Sequence, residues 1–370
     1  MKVIAALLCL FLLSGCSSPQ TPAGDFYVLP HAEDVELDRW SQYVDSFQLI
    51  PLETTPQSLI GRINKIEYVD GIFYVLSDHA RLTAFNTDGS FIRNFGKTGD
   101  GPEELDSFTD FDVYGGHVYL AGYDKLLRYD VSGILEGTSA LKFPPSAIKK
   151  TGDGMLYYLS TPVGEDCLAY SGDSGSWVTA LKKNETLRLN RPISWIGWTD
   201  GSYIFPEGNS ADIALFTESS MRFHDARITP AADALSLEEN ERIKKEKGDQ
   251  GVLESGKTIY DGMTRSGSQL LLWEARKGDL YMYLHDFEEE TARRFIPKDI
   301  DDDLTYTKGL FLQNTFRCIS NERQMVSYLD EDILKEVFQD HEDNKYYGPI
   351  MKLPEESNPV IVLFHLGIKK

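Results

Sequence analysis

The side chains most capable of chemistry in this sequence are grouped, yet they do not assemble into a recognised catalytic set. Acidic residues cluster at Asp110 and Asp112, at Glu288-Glu289-Glu290 and at Asp301-Asp302-Asp303. Such groups could hold a calcium-like ion only if six to eight oxygens converged from several segments. The spacing shows no convergence, and they read as solvated turns. The histidines are scattered without an HExxH pair, so zinc by that route is unsupported. The stretch Ser171-Gly172-Asp173-Ser174-Gly175-Ser176 offers hydroxyls among small residues. A nucleophilic serine also needs a placed histidine and acid, and no GxSxG elbow is present, so the stretch reads as a hairpin turn. The glycines from Gly96 to Gly101 lack the GK[ST] ending that sets a lysine and a hydroxyl on nucleotide phosphates. They read as left-handed turns. No catalytic, cofactor or metal residue is assigned.

One thiol has a clearer chemical context. Lys2 supplies a basic start, an apolar run follows from Val3 to Leu13, and Leu13-Ser14-Gly15-Cys16 closes it, the pattern of a secretory signal peptide. The run is shorter than the roughly 20 apolar residues of a spanning helix. The closing quartet resembles the bacterial lipobox, which implies a diacylglyceryl group on Cys16 and cleavage just before it. Two or more acyl chains give stable anchoring where one is marginal. Residues 1–16 are thus a signal and lipobox, and residues 17–43 a polar tether and lead-in. Ser17 stands where an Asp would retain the protein at the inner membrane in the enterobacterial rule, so the expected address is the bacterial cell envelope, at the outer membrane. Cys9 leaves with the signal. Cys167 and Cys318 fall in different repeats and read as two buried free thiols in preference to a bridge. The formal charge of -21 argues against a nucleic-acid partner.

The elements that must position any site are strands. Between Gly61 and Gly96 short apolar runs alternate with turn signals: INKIEYV, Asp70-Gly71, IFYVLS, RLTAFN, Asp88-Gly89, FIRNF. Asp-Gly between strand-like runs signals a hairpin. Phe73-Tyr74-Val75-Leu76 is apolar on consecutive positions, as expected for a strand covered on both faces. The phrase returns at Gly115-Gly116-HVYLAG, Asp153-Gly154-MLYYLS, Asp200-Gly201-SYIFPE, Lys277-Gly278-DLYMYL and, more weakly, Asn321-Glu322-RQMVSYL. The spacing of about 40 residues is that of a propeller blade. The expected fold is all-β: a six-bladed β-propeller of four-stranded antiparallel blades over residues 44–370. A seven-bladed ring or a pair of sandwiches is the competing arrangement. The longer gap before Gly278 is taken up by a helical insertion over residues 235–256, where Ser236-Leu237-Glu238-Glu239 has the form of a capping box opening a helix that Gly248 ends. A second helix is expected from Asp330 to Gln339. Pairing of Phe47–Leu52 with Val360–Leu366 would close the ring by its N- and C-terminal strands and remove exposed sheet edges.

Particular residues also carry a resemblance. Ile50-Pro51-Leu52-Glu53-Thr54, Ile60-Gly61-Arg62-Ile63, the stretch from Phe85 to Leu105 with Gly96, Gly99, Gly101, Pro102 and Glu103, and the closing NPVIVLFHL from Asn358 resemble the six-bladed propeller lipoproteins of Bacteroides-type bacteria, related in pattern to NHL-repeat propellers. The resemblance covers most of the chain. It implies a binding or scaffold role in the envelope and names no ligand.

On a propeller, loops at one mouth carry function. The connections after the second strands offer Asp78, His79 and Arg81, then Tyr123, Asp124 and Lys125, then Glu207, Asn209 and Asp212. That mixture suits a glycan, a peptide or an envelope protein partner through hydrogen bonds and stacking. The leading expectation is non-enzymatic binding without cofactor. The alternative is a metal-dependent propeller enzyme, lactonase- or lyase-like, with a divalent ion held by carboxylates and amides from several blades.

Overall fold

A computed structural model describes residues 29–30, 32–36, 38–159, 166–173, 177–183, 195–197, 201–206, 210–228, 234–276 and 279–367. Cys16, Glu207, Asn209 and the side chain of Cys167 lie outside the described residues.

The fold is all-β, built of antiparallel strand groups, here called sheets and numbered in chain order. The first and fifth of them are joined through parallel pairing with Cys318–Ser320 into one ten-stranded sheet that Glu33–Asp34 extends at its far edge. The first sheet comprises Ile63–Val69, Ile72–Ser77, Arg81–Asn86 and Phe91–Phe95. The second comprises Asp110–Tyr114, His117–Ala121, Lys125–Asp130 and Leu135–Ala140. The third comprises Pro145–Lys150, Gly154–Leu159, Asp166–Gly172 and Trp177–Lys183, and the fourth Ile196–Gly197, Ser202–Pro206, Asp212–Thr217 and Arg222–Arg227. The fifth comprises Ile259–Ser266, Gln269–Arg276, Asp279–Asp286 and Thr291–Phe295. Consecutive strands pair because tight turns join them. Asp70 and Gly71 both have positive φ, at 51° and 76°, the geometry of the two-residue hairpin that matches strand twist.

Val44–Pro51, Met325–Leu329 and Val360–Leu366 form a sixth sheet, in which Phe47 lies opposite Phe364 and Leu49 opposite Val362. The run before the first sheet therefore pairs with the final run, as its lack of a local partner suggested. Cys318–Ser320 runs parallel to Ile66–Tyr68 on one side and meets Ser266 through Ser320 on the other.

Apolar clusters fill the spaces between successive sheets, and this explains the consecutive apolar runs. Leu270 and Leu272 pack with Ile204 and Ile213 of the fourth sheet, whereas Leu271 and Trp273, on the opposite face of the same strand, pack with Val362 and Phe364 of the sixth. Tyr74 and Leu76 face Phe111 and Leu120 of the second sheet. Phe73 and Val75 face Ile361 and Leu363 of the sixth. A strand buried on both faces alternates direction without alternating polarity.

Several local expectations are corrected. The inserted helix α1 spans Leu237–Glu254, longer than expected, with Gly248 left as a non-helical kink at φ 70°. Its start is as read, because the Ser236 side chain accepts from the Glu239 N–H at 3.2 Å. The second helix α2 covers Glu331–Phe338, and a short third helix α3, Tyr347–Met351, follows it. Asp110, Asp112 and Asp302 are buried rather than solvated. The Asp302 carboxylate is enclosed by its own loop, accepting from the backbone of Thr305, Thr307 and Gly309 and from both threonine hydroxyls. Cys318 is buried and unbridged.

Candidate functional site

The first strands of the sheets bring an ionic cluster together. In INKIEYV the side chains of Lys65 and Glu67 fall two residues apart, on one face of the strand, and in DFDVY so do Asp110 and Asp112. Lys65 Nζ lies 2.9 Å from Glu67 Oε1 and 3.0 Å from Asp110 Oδ1. Lys149 Nζ lies 2.6 Å from Asp112 Oδ1. Backbone N–H groups complete the carboxylate shells: Val113 donates to Glu67, Ile148 to Asp110 and Lys150 to Asp112.

Burial would lower the Lys65 ammonium, but Asp110, Glu67 and Asp112 outweigh it and hold the group above its ordinary value. Burial pushes Asp112 up to about 6, with Lys149 opposing the rise and Glu67 adding to it. A divalent ion at these carboxylates would sit against the Lys65 and Lys149 ammoniums, whose like charge opposes it. Among the described residues no group of three His, Cys, Asp or Glu side chains is placed to hold a metal.

Beyond this cluster opens a cavity of about 510 Å³. Its wall is built at the ends of the first strands and at the turns into the second: Glu67 and Val69, Val113 and Tyr114, Lys149 and Gly152, Ile196 and Gly197, Arg265 and Gly267, Ser320 and Asn321. Trp195, Ser202, Tyr203 and Glu218 also line it. The Glu218 carboxylate accepts the Gly152 N–H at 2.8 Å and so bridges the third and fourth sheets. Arg265 donates to the carbonyls of Gly197 and Gly267 at 2.5 and 3.0 Å. Burial, reinforced by Glu218, lifts the Tyr203 hydroxyl far above the usual phenol range, so it stays a neutral donor. Tyr114 is 40% exposed. The volume is that of a small-molecule site.

The described loop residues among those singled out from the sequence, Asp78, His79, Arg81, Tyr123, Asp124, Lys125 and Asp212, sit at the other ends of the strands, since turns before and after a second strand lie on opposite sides of a meander. There they mostly secure connections. The Asp78 carboxylate accepts from the Arg62 N–H at 2.9 Å, His79 is held by Asn64, and Arg81 donates to the Leu59 carbonyl at 2.8 Å. Lys125 donates to the carbonyls of Gly101 and Glu104. The Asp124 carbonyl accepts from the Leu141 N–H, and Asp212 pairs with Arg227 at 3.3 Å. Tyr123 stays half exposed. The structure does not bring these residues into one pocket with the cavity-lining groups.

Residues 27–365 match a family model described as Domain of unknown function (DUF4934). Among solved structures, the chain is similar to a Bacteroides fragilis protein described as exported, at 17% identity and a TM-score of 0.72, over 92% of this chain and 99% of that one. Virginiamycin B lyase from Staphylococcus aureus is a more distant likeness, at 14% identity and a TM-score of 0.41, over 68% of this chain and 74% of that one. A protein of unknown function from Bacteroides caccae is comparably distant, at 13% identity and a TM-score of 0.41, over 64% of this chain and 82% of that one. No curated protein matches the chain in sequence.

Proposed function

The chain belongs to the family described as Domain of unknown function (DUF4934), and from that premise we propose that it is a six-bladed propeller lipoprotein of the bacterial cell envelope that binds a ligand without transforming it. The ring reading is supported by the apolar clusters, which link the first sheet to the second and, through the sixth, the fifth back to the first. Pairing of Val44–Pro51 with Val360–Leu366 is what closure by the two terminal strands requires. The lipobox at Cys16 supports a lipid anchor and an outer-membrane address, and a neighbour of the same fold is described as exported.

The observation that carries the binding role is the cavity itself, where polar and aromatic side chains from the first five sheets and from the Cys318–Ser320 strand converge on a rigid support. A glycan chain or a peptide is of the right scale. The rival metalloenzyme reading is disfavoured by the commitment of Glu67, Asp110 and Asp112 to Lys65, Lys149 and backbone N–H groups. To test the binding role, the purified protein is screened against glycans and peptides, and the bound ligand is retitrated against Tyr203→Ala and Glu218→Gln. Loss of affinity in both variants supports the cavity as the site, and unchanged affinity in both overturns it. Metal content and melting temperature with and without a chelator test the rival: a stoichiometric ion with a lower melting temperature on its removal would favour the enzyme.

A further inference from the structure

We infer that the cavity ligand is a neutral, polyhydroxylated molecule, a short carbohydrate chain. The inference rests on the proposal that the cavity is the binding site, and it concerns only the ligand's class. Each ionised group on the wall already has a partner inside the protein. Glu67 is paired with Lys65, Lys149 with Asp112, Glu218 with the Gly152 N–H and Arg265 with the carbonyls of Gly197 and Gly267. Glu67 and Lys149 present no unopposed charge to a ligand, and an ion bound against either would have to disturb an existing ion pair.

The paired groups nevertheless keep lone pairs and N–H bonds pointing in fixed directions. Hydroxyl groups, which both donate and accept, meet such mixed walls without a net change in charge. Charge-assisted hydrogen bonds to neutral hydroxyls are also stronger than neutral ones. Ser202 and Asn321 add hydroxyl and amide partners, and Tyr114 and Tyr203 add aromatic surface for the C–H faces of sugar rings.

An extended peptide is a poorer fit. Peptide strands gain affinity by adding to a free sheet edge. At this wall Cys318–Ser320 is already flanked by Ile66–Tyr68 and Ser266.

The test is calorimetric titration of the full-length protein in detergent with neutral trisaccharides of glucose, mannose, xylose and N-acetylglucosamine, beside a uronic-acid trisaccharide and unbiased tripeptides. Tyr114→Ala is the informative variant because the ring is exposed and its loss leaves the core intact. The expected result is binding of at least one neutral trisaccharide, weakened about tenfold by Tyr114→Ala. Affinity should be nearly constant between about 0.05 and 0.5 M salt, since a neutral ligand has no charge to screen. Exclusive binding of the charged sugar or of tripeptides, sensitive to Tyr114→Ala, would reject the carbohydrate and leave the cavity as the site. Binding of a neutral sugar indifferent to both Tyr114→Ala and Glu218→Gln would reject the cavity as well. Failure of every neutral trisaccharide to bind overturns the inference.

Discussion

Asn358 holds Ile60 across 298 positions of sequence: its side-chain oxygen accepts the Ile60 N–H at 2.7 Å. The same amide donates to the carbonyls of Glu53 and Ser58 at 2.7 and 2.8 Å, and the Asn358 N–H donates to Thr54 Oγ1. One side chain thus fastens the loop entering the first sheet to the base of the final strand.

Replacing it should therefore cost far more than an ordinary polar contact. Asn358→Ala removes the side-chain partners of the buried Ser58 carbonyl and Ile60 N–H, each costing about 1–3 kcal/mol, whereas the Glu53 carbonyl keeps the Ser58 hydroxyl. The expected loss of unfolding free energy is on the order of 3 kcal/mol or more, measured by denaturant titration. A change under about 0.5 kcal/mol, the ordinary scale of a surface substitution, would contradict this assignment.

Lys65 is expected to be equally sensitive. Lys65→Met removes the ammonium that neutralises Glu67 and Asp110 while both stay buried. Breaking a buried pair from one side typically costs about 3–5 kcal/mol. Adding Glu67→Gln and Asp110→Asn to Lys65→Met should recover part of that loss, because fewer unpaired charges remain. Equal stability of the single and triple variants would show that charge is not the cause.

The raised Asp112 carboxyl predicts a specific dependence on pH. Its folded value of about 6 lies above the ordinary 3.8, so between those values the folded protein binds more protons than the unfolded chain. The contribution of this group to stability is then greatest below about pH 4 and declines as pH rises to about 6. Compared with Asp112→Asn, the wild type should lose relative stability across that window. Carbon NMR of the Asp112 carboxyl should show a midpoint near 6. A midpoint below about 4.5 would remove the basis for the prediction.

The proposed lipid anchor depends on a single atom, the Cys16 sulfur. Cys16→Ala should move the protein from the membrane fraction to the soluble fraction, because no acyl chain can be attached. Retention at the membrane would point to a different anchor.

The sheets were readable from particular residues. Phe73-Tyr74-Val75-Leu76 is consecutively apolar because both faces of that strand are buried, and Asp70-Gly71 announces its turn through backbone angles that other residue pairs seldom adopt. The pairing of Phe47 with Phe364 followed from two apolar runs that each lacked a local partner. The site was harder to read. Lys65, Glu67, Asp110 and Asp112 resemble solvated residues when each strand is read alone. Their spacing of two is the signal that could have found them: polar residues on one face of an otherwise apolar first strand, repeated in a second. Tyr114, Tyr203, Glu218 and Arg265 come together only when separate sheets are placed side by side. Asp78 and Lys125 have suitable chemistry, but backbone groups of neighbouring loops occupy them.

The pairing of Val44–Pro51 with Val360–Leu366 also sets a timetable for biosynthesis. A chain made from its N-terminus has Val44–Pro51 available early, yet that strand has no partner until Val360–Leu366 has been made. Chains stopped before Val360 therefore keep a strand with unmet hydrogen bonds and an exposed Leu49-Ile50 pair, the kind of edge that quality-control proteases and chaperones engage. The pairing thus distinguishes chains that contain both strands from those stopped before Val360.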